Sequence, residues 1–320
     1  MVLRLSAEFT NGRRSTSKAL NCSVPTFTAT SPASEIVTKA RLIGSHARFF
    51  ESRNILVRNY LEIVRPYRST IQVITDETRH ILSAFILSRQ LANNSENSPI
   101  GAKGPDIVAL CGTLGVGGRN QIGALLRRLR KNGYLSQVKD RKDGRTRRII
   151  ANPLVLTICR QIIELYSVEL LRLGHASLSD ISKIRTSDLY IGYIAEHLSN
   201  YFEERGPLSN LLPGIKLFVN RQTGYEILLQ LLVSSNTSKS SHKKNIHFNF
   251  GVIAERFSVS RTHVRRLIRD ADDNGYLNLL ISGGQAVEVS DKLIEETNFF
   301  LCLQLALFQE ALKHANDRSS

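Results

Sequence analysis

The hydrophobic positions of this chain recur with a helical period over most of its length, and one succession of elements occurs twice. A long helical pattern at residues 34–64 is followed by another at 78–95, then by two short helices, a β-ribbon and a final helix at 154–173. The order returns with helical patterns at 187–204, 223–240 and 292–314. The pattern therefore predicts a duplicated, mainly helical unit.

One short segment shows the duplication most clearly. The sequence RRLRKNGYLSQ at 127–137 is echoed by RDADDNGYLNL at 269–279, an offset of 142 residues, and the first copy carries one extra residue in the turn upstream. Matching apolar positions lie ahead of both segments, and we expect them to be buried. They are Ile107, Leu110, Leu114, Val116, Ile122, Leu125, Leu126 and Leu129 in the first copy, and Phe250, Ile253, Phe257, Val259, Val264, Leu267, Ile268 and Ala271 in the second.

Each copy is predicted to contain a helix–turn–helix. In the second copy residues 252–257 form a short helix, residues 258–260 form the turn, and residues 261–274 form the second helix with Ser260 as its N-cap. Gly133 and Gly275 each follow an asparagine at a helix end, where positive φ is favoured.

A β-hairpin is predicted directly after the second helix of each copy. In the first copy Asp143-Gly144 favours a two-residue hairpin turn between YLSQVKD and TRRIIAN. A helix–turn–helix with an appended hairpin is a winged helix, whose second helix fits the major groove of DNA while the hairpin, or wing, reaches the backbone or the minor groove.

The predicted fold class is therefore mainly α with small β-hairpin wings, as two winged helix-turn-helix domains with long flanking helices. We expect a disordered N-terminal arm at 1–34, a first domain with a basic wing at 35–176, and a second with a neutral wing and a C-terminal helix at 177–320. The join is placed in a polar linker at 174–182.

Composition excludes several classes of function. The chain has 320 residues, 42% of them hydrophobic, and no apolar run long enough to span a membrane. Its four cysteines are scattered and, apart from Cys22, lie in apolar surroundings, which is typical of buried thiols rather than of a zinc site. The glycine-rich GTLGVGGRN at 112–120 lacks the lysine of a P-loop. We therefore expect no enzyme activity, no metal and no cofactor.

Charge supplies the functional signal. The net charge is +15, and residues 119–148 carry eleven Lys/Arg against two acids, a net +9. A cluster of this size beside a predicted groove-binding helix indicates double-stranded DNA as the partner. The candidate contacts in the first copy are Arg119, Asn120, Gln121, Arg127, Arg128, Lys139, Arg141, Lys142, Arg145, Arg147 and Arg148.

The second copy is electrostatically different. Its predicted wing, residues 277–290, has no Lys or Arg, and over residues 249–290 five arginines are cancelled by five acids. Its second helix still offers candidate DNA contacts, which could equally be a solvated helix face. They are Ser260, Arg261, Thr262, His263, Arg265 and Arg266.

The segment LLRRLRKNGYLSQVKDRKDGRTRRIIANP, with its helix end, D-G-R wing and proline-led helix entry, resembles the MarR family of bacterial transcription regulators. The resemblance implies that the helix at 119–131 enters the major groove, that the tip at 141–145 contacts the minor groove or backbone, and that terminal helices form a dimer interface. The chain departs from the family in carrying two units and in its looser GVGG turn.

The function expected from these observations is a sequence-specific transcription regulator, cytoplasmic and associated with the nucleoid. Two tandem copies favour an intramolecular pseudo-dimer, with a homodimer as the alternative, and the resemblance implies a small-molecule effector. Two other functions remain open at this point. One is a plasmid-type replication initiator with two winged helices, and the other is a protein-interaction or architectural winged-helix protein.

Overall fold

The fold consists of helices and two small antiparallel sheets. The computed structural model describes residues 33–67, 77–92, 100–140, 143–237, 245–281 and 286–320. The predicted N-terminal arm lies outside these ranges, apart from Ala33 and Ser34, which begin the first helix. The mainly helical fold class with small β-hairpins is confirmed over the described residues.

The first half of the chain, residues 33–173, contains six helices and three strands among its described residues. They are α1 (Ala33–Ser45), α2 (Phe49–Val64) with a 3-10 turn at Arg65–Tyr67, α3 (Glu77–Leu91), β1 (Ala102–Lys103), α4 (Gly104–Thr113), α5 (Arg119–Lys131), β2 (Leu135–Lys139), β3 (Arg147–Ala151) and α6 (Pro153–Arg172).

The second half, residues 177–320, repeats this order with one additional short helix. Its described elements are α7 (Leu178–Thr186), α8 (Asp188–Arg205), a 3-10 turn at Leu208–Leu211, α9 (Pro213–Val219), α10 (Gly224–Thr237), β4 (Asn245–His247), α11 (Phe250–Arg256), α12 (Arg261–Asp273), β5 (Leu277–Leu279), β6 (Ala286–Val289) and α13 (Asp291–Ser319).

The pair of helices α4 and α5 matches the pair α11 and α12, apart from one residue in the turn between them. Helices α5 and α12 are both 13 residues long and keep the 142-residue offset. In the turns Gly115 has φ +65° and Ser258 has φ 54°. The backbone therefore adopts the left-handed conformation at the equivalent place in both halves. Between that position and the second helix the first half has Gly117 and Gly118 where the second has only Ser260, which confirms the extra residue.

The predicted apolar positions form the core. All eight of the second copy are buried except Val259, which is half-buried, and the first copy differs only in that Leu114, Val116 and Leu125 are half-buried. Gly133 and Gly275 adopt φ +76° and +72°, as the asparagine–glycine helix ends predicted.

The ribbons are antiparallel as predicted, but the turn of the first one differs. Leu135 pairs with Ala151 and Lys139 with Arg147, and the pairing extends to a hydrogen bond from the Asp140 amide to the Thr146 carbonyl. The loop is therefore residues 141–145, which are the RKDGR between the two predicted strands, but the two-residue turn at Asp143-Gly144 is wrong. Gly144 does not adopt the positive φ that such a turn requires.

Each ribbon has a third strand that the sequence pattern did not predict. β1 pairs with β3, and β4 pairs with β6, so both sheets have their later ribbon strand at the centre. Two- and three-residue strands are too short to show an alternating pattern.

Two segments differ from the prediction in where the chain is helical. The pattern at 34–64 is two helices, separated by a turn at 46–48 in which the Phe49 amide donates to the His46 carbonyl. The predicted linker at 174–182 is helical from Leu178, because Ser177 and Asp180 form a reciprocal capping box at its start.

The two halves pack closely against each other. Helix α3 of the first half lies against α8 of the second, and α1 lies against α13. The reciprocal pairs, α10 with α2 and α7 with α6, are also in contact. At the α3–α8 crossing a Cβ added to Gly192 would lie 2.6 Å from the Ala92 nitrogen and 2.6 Å from the Leu91 carbonyl carbon, so the backbones meet with no room for a side chain.

Candidate nucleic-acid interface

Helix α5 separates its apolar and cationic residues by face. Ile122, Leu126 and Leu129 are buried against the core. The opposite face is exposed and has Arg119, Asn120, Gln121, Arg127 and Arg128, with Lys131 at its end, which the candidate set missed although it lies on the same helical face. The helix contains no acidic residue.

The centre of this exposed face has a short side chain. Ala124 is exposed there, between the polar first turn and the arginines of the last turns, and Gly123 beside it is half-buried. An alanine at this point lets a helix backbone approach a ligand surface more closely than a long side chain would. Arg119 occupies the first helical position, where the helix dipole disfavours a cation and favours a phosphate.

The basic ribbon, β2 and β3 with their connecting loop, has exposed cations on both strands. Lys139 and Arg147 are both exposed and lie directly opposite each other in the antiparallel register. Like charges at such a position destabilise a strand pair by roughly 0.2–1 kcal/mol unless a counter-charge lies between them. Arg145 in the loop and Lys103 on the adjoining strand β1 are exposed as well.

Asp140 and Asp143, the two acids among residues 119–148, both have structural roles. Asp140 is buried and accepts from Arg148 Nε at 2.5 Å, while Arg148 Nη1 donates to the Gly101 carbonyl at 3.0 Å. Asp143 accepts from the Arg145 amide at 3.0 Å and from the Thr146 hydroxyl at 2.8 Å, which orders the loop. Arg148 therefore ties the ribbon together and is not presented to solvent as the other candidates are. Arg141 and Lys142 lie outside the described residues.

Helix α12 presents a second cationic face. Val264, Leu267, Ile268 and Ala271 are buried, and the polar side chains of the opposite side are exposed: Arg261, Thr262, Arg265, Arg266 and Arg269. The Ser260 hydroxyl accepts from the His263 amide at 3.0 Å, so the predicted N-cap is confirmed. His263 Nε2 lies 2.9 Å from the Gln222 carbonyl oxygen and so connects α12 to the residues before α10.

The far end of α12 reverses the charge of α5. Asp270, Asp272 and Asp273 stand where α5 has Arg128, Arg130 and Lys131. Asp270 pairs with Arg221, and Asp272 accepts from the Leu279 amide at 3.1 Å. The second ribbon, β5 and β6, follows with exposed Leu280 and Ile281 and a half-buried Glu288.

A largely apolar cavity of about 120 Å³ lies between the two halves. Helices α2, α3 and α6 of the first half line it together with α8, α10 and α13 of the second. Its polar groups are the side chains of Tyr60, Tyr166, Tyr225 and Gln304, among others, and the Tyr166 and Tyr225 hydroxyls both donate to Gln304 Oε1 at 2.9 Å. Burial raises the pKa of Tyr166 to about 12, so this phenol stays neutral at pH 7.

The cysteines of the described residues are free and buried, as expected for Cys111, Cys159 and Cys302. Burial raises the pKa of Cys111 to about 11, which keeps this thiol protonated. Within the described ranges no three His, Cys, Asp or Glu side chains are placed to hold a metal ion. None of the helices in those ranges is long and apolar enough to cross a membrane.

Comparison with protein-family models, curated protein sequences and solved structures finds no match to this chain.

Proposed function

We propose that this protein is a sequence-specific double-stranded DNA-binding transcription regulator built from two winged helix-turn-helix units, similar in plan to the MarR family. One observation carries the proposal: an acid-free helix with a cationic exposed face leads within four residues into a ribbon whose facing strands both expose cations. Repulsion between the facing cations destabilises the strand pair in the free protein, and a bound polyanion would offset this repulsion.

The dimensions of these elements favour duplex DNA among polyanions. A single α-helix with its side chains fits the major groove, which is about 12 Å wide. Asn120 and Gln121 can bond an adenine edge, and Arg128 a guanine edge, whereas phosphate contacts need only cations. We assign phosphate contacts to the exposed ribbon cations Lys139, Arg145 and Arg147, and leave Arg148 out because of its internal ion pair.

The packing of the halves supports an intramolecular pseudo-dimer. In a symmetric dimer equivalent helices of the two subunits meet in reciprocal pairs, and the contacts of α3 with α8 and α2 with α10 follow this pattern within one chain. Tyr166 of α6 stacks on Phe308 of α13 with ring centroids 4.5 Å apart, so the final helices of the two copies are in contact. One chain then presents two groove-binding helices.

Binding of the full chain to random-sequence duplex is the direct test. We expect fluorescence anisotropy to show binding at low salt that weakens steeply as salt rises, with a slope of log K on log salt near −0.9 for each phosphate contacted. Heparin of matched charge is the control for charge alone. Tighter binding to heparin than to any duplex, or no duplex binding at low salt, would contradict the proposal.

The cavity between the halves favours a small, uncharged and largely apolar effector with one hydrogen-bonding group. Its volume is similar to that of an engineered cavity that binds benzene, and an ion among these residues would lose its hydration without a counter-charge. Gln304 lies where a ligand hydroxyl could exchange for one of the two tyrosine hydroxyls.

Phenol is a suitable probe of this cavity. We expect millimolar phenol to raise the melting temperature of the wild-type protein, because a ligand that binds only the folded state stabilises it. The Ala84→Leu variant, which fills the cavity from α3 without removing a polar group, should show a smaller shift. Equal shifts in the two proteins would place phenol binding elsewhere.

A further inference from the structure

The two groove-facing helices differ at the centre of their exposed faces as well as at their far ends. Because α5 and α12 start at equivalent residues and bury equivalent positions, Ala124 of α5 corresponds to Arg266 of α12. At about 100° per residue each lies nearly opposite the buried stripe of its helix. Both are exposed.

The residues around this position keep the same geometry in both helices. Asn120 and Arg127 of α5 share the central face with Ala124, and Thr262 and Arg269 of α12 share it with Arg266. The two faces thus begin with a short polar side chain and continue to an arginine. Between them Gly123 and Ala124 of α5 are replaced by Arg265 and Arg266 of α12, and of these two positions Ala124 and Arg266 lie nearer the centre of the face.

A methyl group and a guanidinium recognise different bases. Arginine donates two hydrogen bonds to O6 and N7 of guanine, whereas alanine makes an apolar contact with the methyl group of thymine. The alanine also lets α5 lie deeper, so that Asn120 can reach an adenine. The two halves therefore carry different base preferences at one equivalent position.

The charges beyond this position divide the phosphate contacts unequally between the two halves. The last turn of α5 ends in cations and leads to the basic ribbon, whereas the last turn of α12 ends in Asp273 and leads to a ribbon without Lys or Arg. Phosphate contacts are then concentrated on the first half, and the second half contacts DNA through the first turns of α12. Because phosphates carry no base identity, this unequal binding does not orient the complex by itself, and the orientation depends on the bases that the two helices read.

Building on the proposed function, we infer that the chain binds an asymmetric site of fixed orientation, in which Arg266 selects a guanine in one half-site and Ala124 an A·T pair at the equivalent place in the other. Of the two arginines that α12 has where α5 has Gly123 and Ala124, Arg266 lies nearer the centre of the exposed face and so contributes most of the difference between the half-sites. The site is not an inverted repeat.

Selection of bound sequences from random duplex DNA tests the inference with the full chain. We expect two unlike half-sites in the wild-type motif. In Arg266→Ala the preference for guanine should fall by about 5- to 150-fold at one position, with the other half-site unchanged. The reciprocal variant Ala124→Arg should introduce guanine into the first half-site. Lys313→Ala, an exposed cation removed from α13, serves as the control and should leave both half-sites as they are.

The outcomes separate this inference from the function on which it rests. A palindromic wild-type motif, or a motif that Arg266→Ala does not change, would overturn the asymmetric site while leaving DNA recognition in place. A selection that enriches no sequence would overturn the proposed sequence-specific function itself.

Discussion

Replacement of Lys139, Arg145 and Arg147 by alanine in one variant is expected to flatten the slope of log K on log salt by about 2.7 units, near 0.9 for each phosphate that the variant no longer binds. These three side chains are exposed on the basic ribbon, and none supports the fold as Arg148 does. The drop in affinity should be similar for all duplex sequences, because phosphates carry no base identity. Anisotropy titrations between about 50 and 200 mM salt measure it.

A control variant removes the same charge from another part of the surface. Arg41, Arg58 and Lys313 are exposed on α1, α2 and α13, and their replacement by alanine lowers the net charge by the same three units. We expect this control to keep nearly the full salt slope. An equal drop in the two variants would mean that overall charge, not the ribbon, holds the DNA.

A large loss of stability is expected from a substitution at Gly192. Alanine there places a methyl group within 2.6 Å of the backbone at the end of α3, and backbone atoms cannot rotate away as a side chain can. Overpacking of this kind costs about 1–3 kcal/mol, and the cost falls on the crossing that joins the two halves. The midpoint of urea unfolding, followed by circular dichroism, should fall accordingly.

Gly112→Ala is the matched control. Gly112 also lies in a helix, α4, but an added Cβ would meet nothing within 4 Å. Because glycine in a helix is less favourable than alanine by up to about 1 kcal/mol, this variant should be as stable as the wild type or more so. If Gly192→Ala behaved like Gly112→Ala, α3 and α8 could not be as close as described.

The sequence was sufficient to predict the helices that carry the candidate site. The bounds of α5 are those predicted, and α12 ends one residue early, because a strong apolar stripe and an Asn-Gly stop define both helices. The charge difference between the ribbons was also visible without coordinates, since it depends only on residue type. Local pattern therefore predicted which elements exist and which of their faces are exposed.

What could not be predicted depends on contacts between distant residues. The stripe on α3 showed that one face is buried, but not that α8 of the other half covers it. Likewise, the residue type of Arg148 does not distinguish it from its exposed neighbours. Its hydrogen bonds to Asp140 and Gly101 do. The strands β1 and β4 are defined by the partners they pair with rather than by a pattern of their own.

The crossing of α3 and α8 within one polypeptide has a consequence for dilute conditions. Two separate subunits fall apart when their concentration drops below the dissociation constant, whereas segments of one chain meet at an effective concentration that dilution does not change. The pairing of the two halves is therefore independent of how many molecules a cell contains. Even a single molecule of the protein keeps its two halves paired.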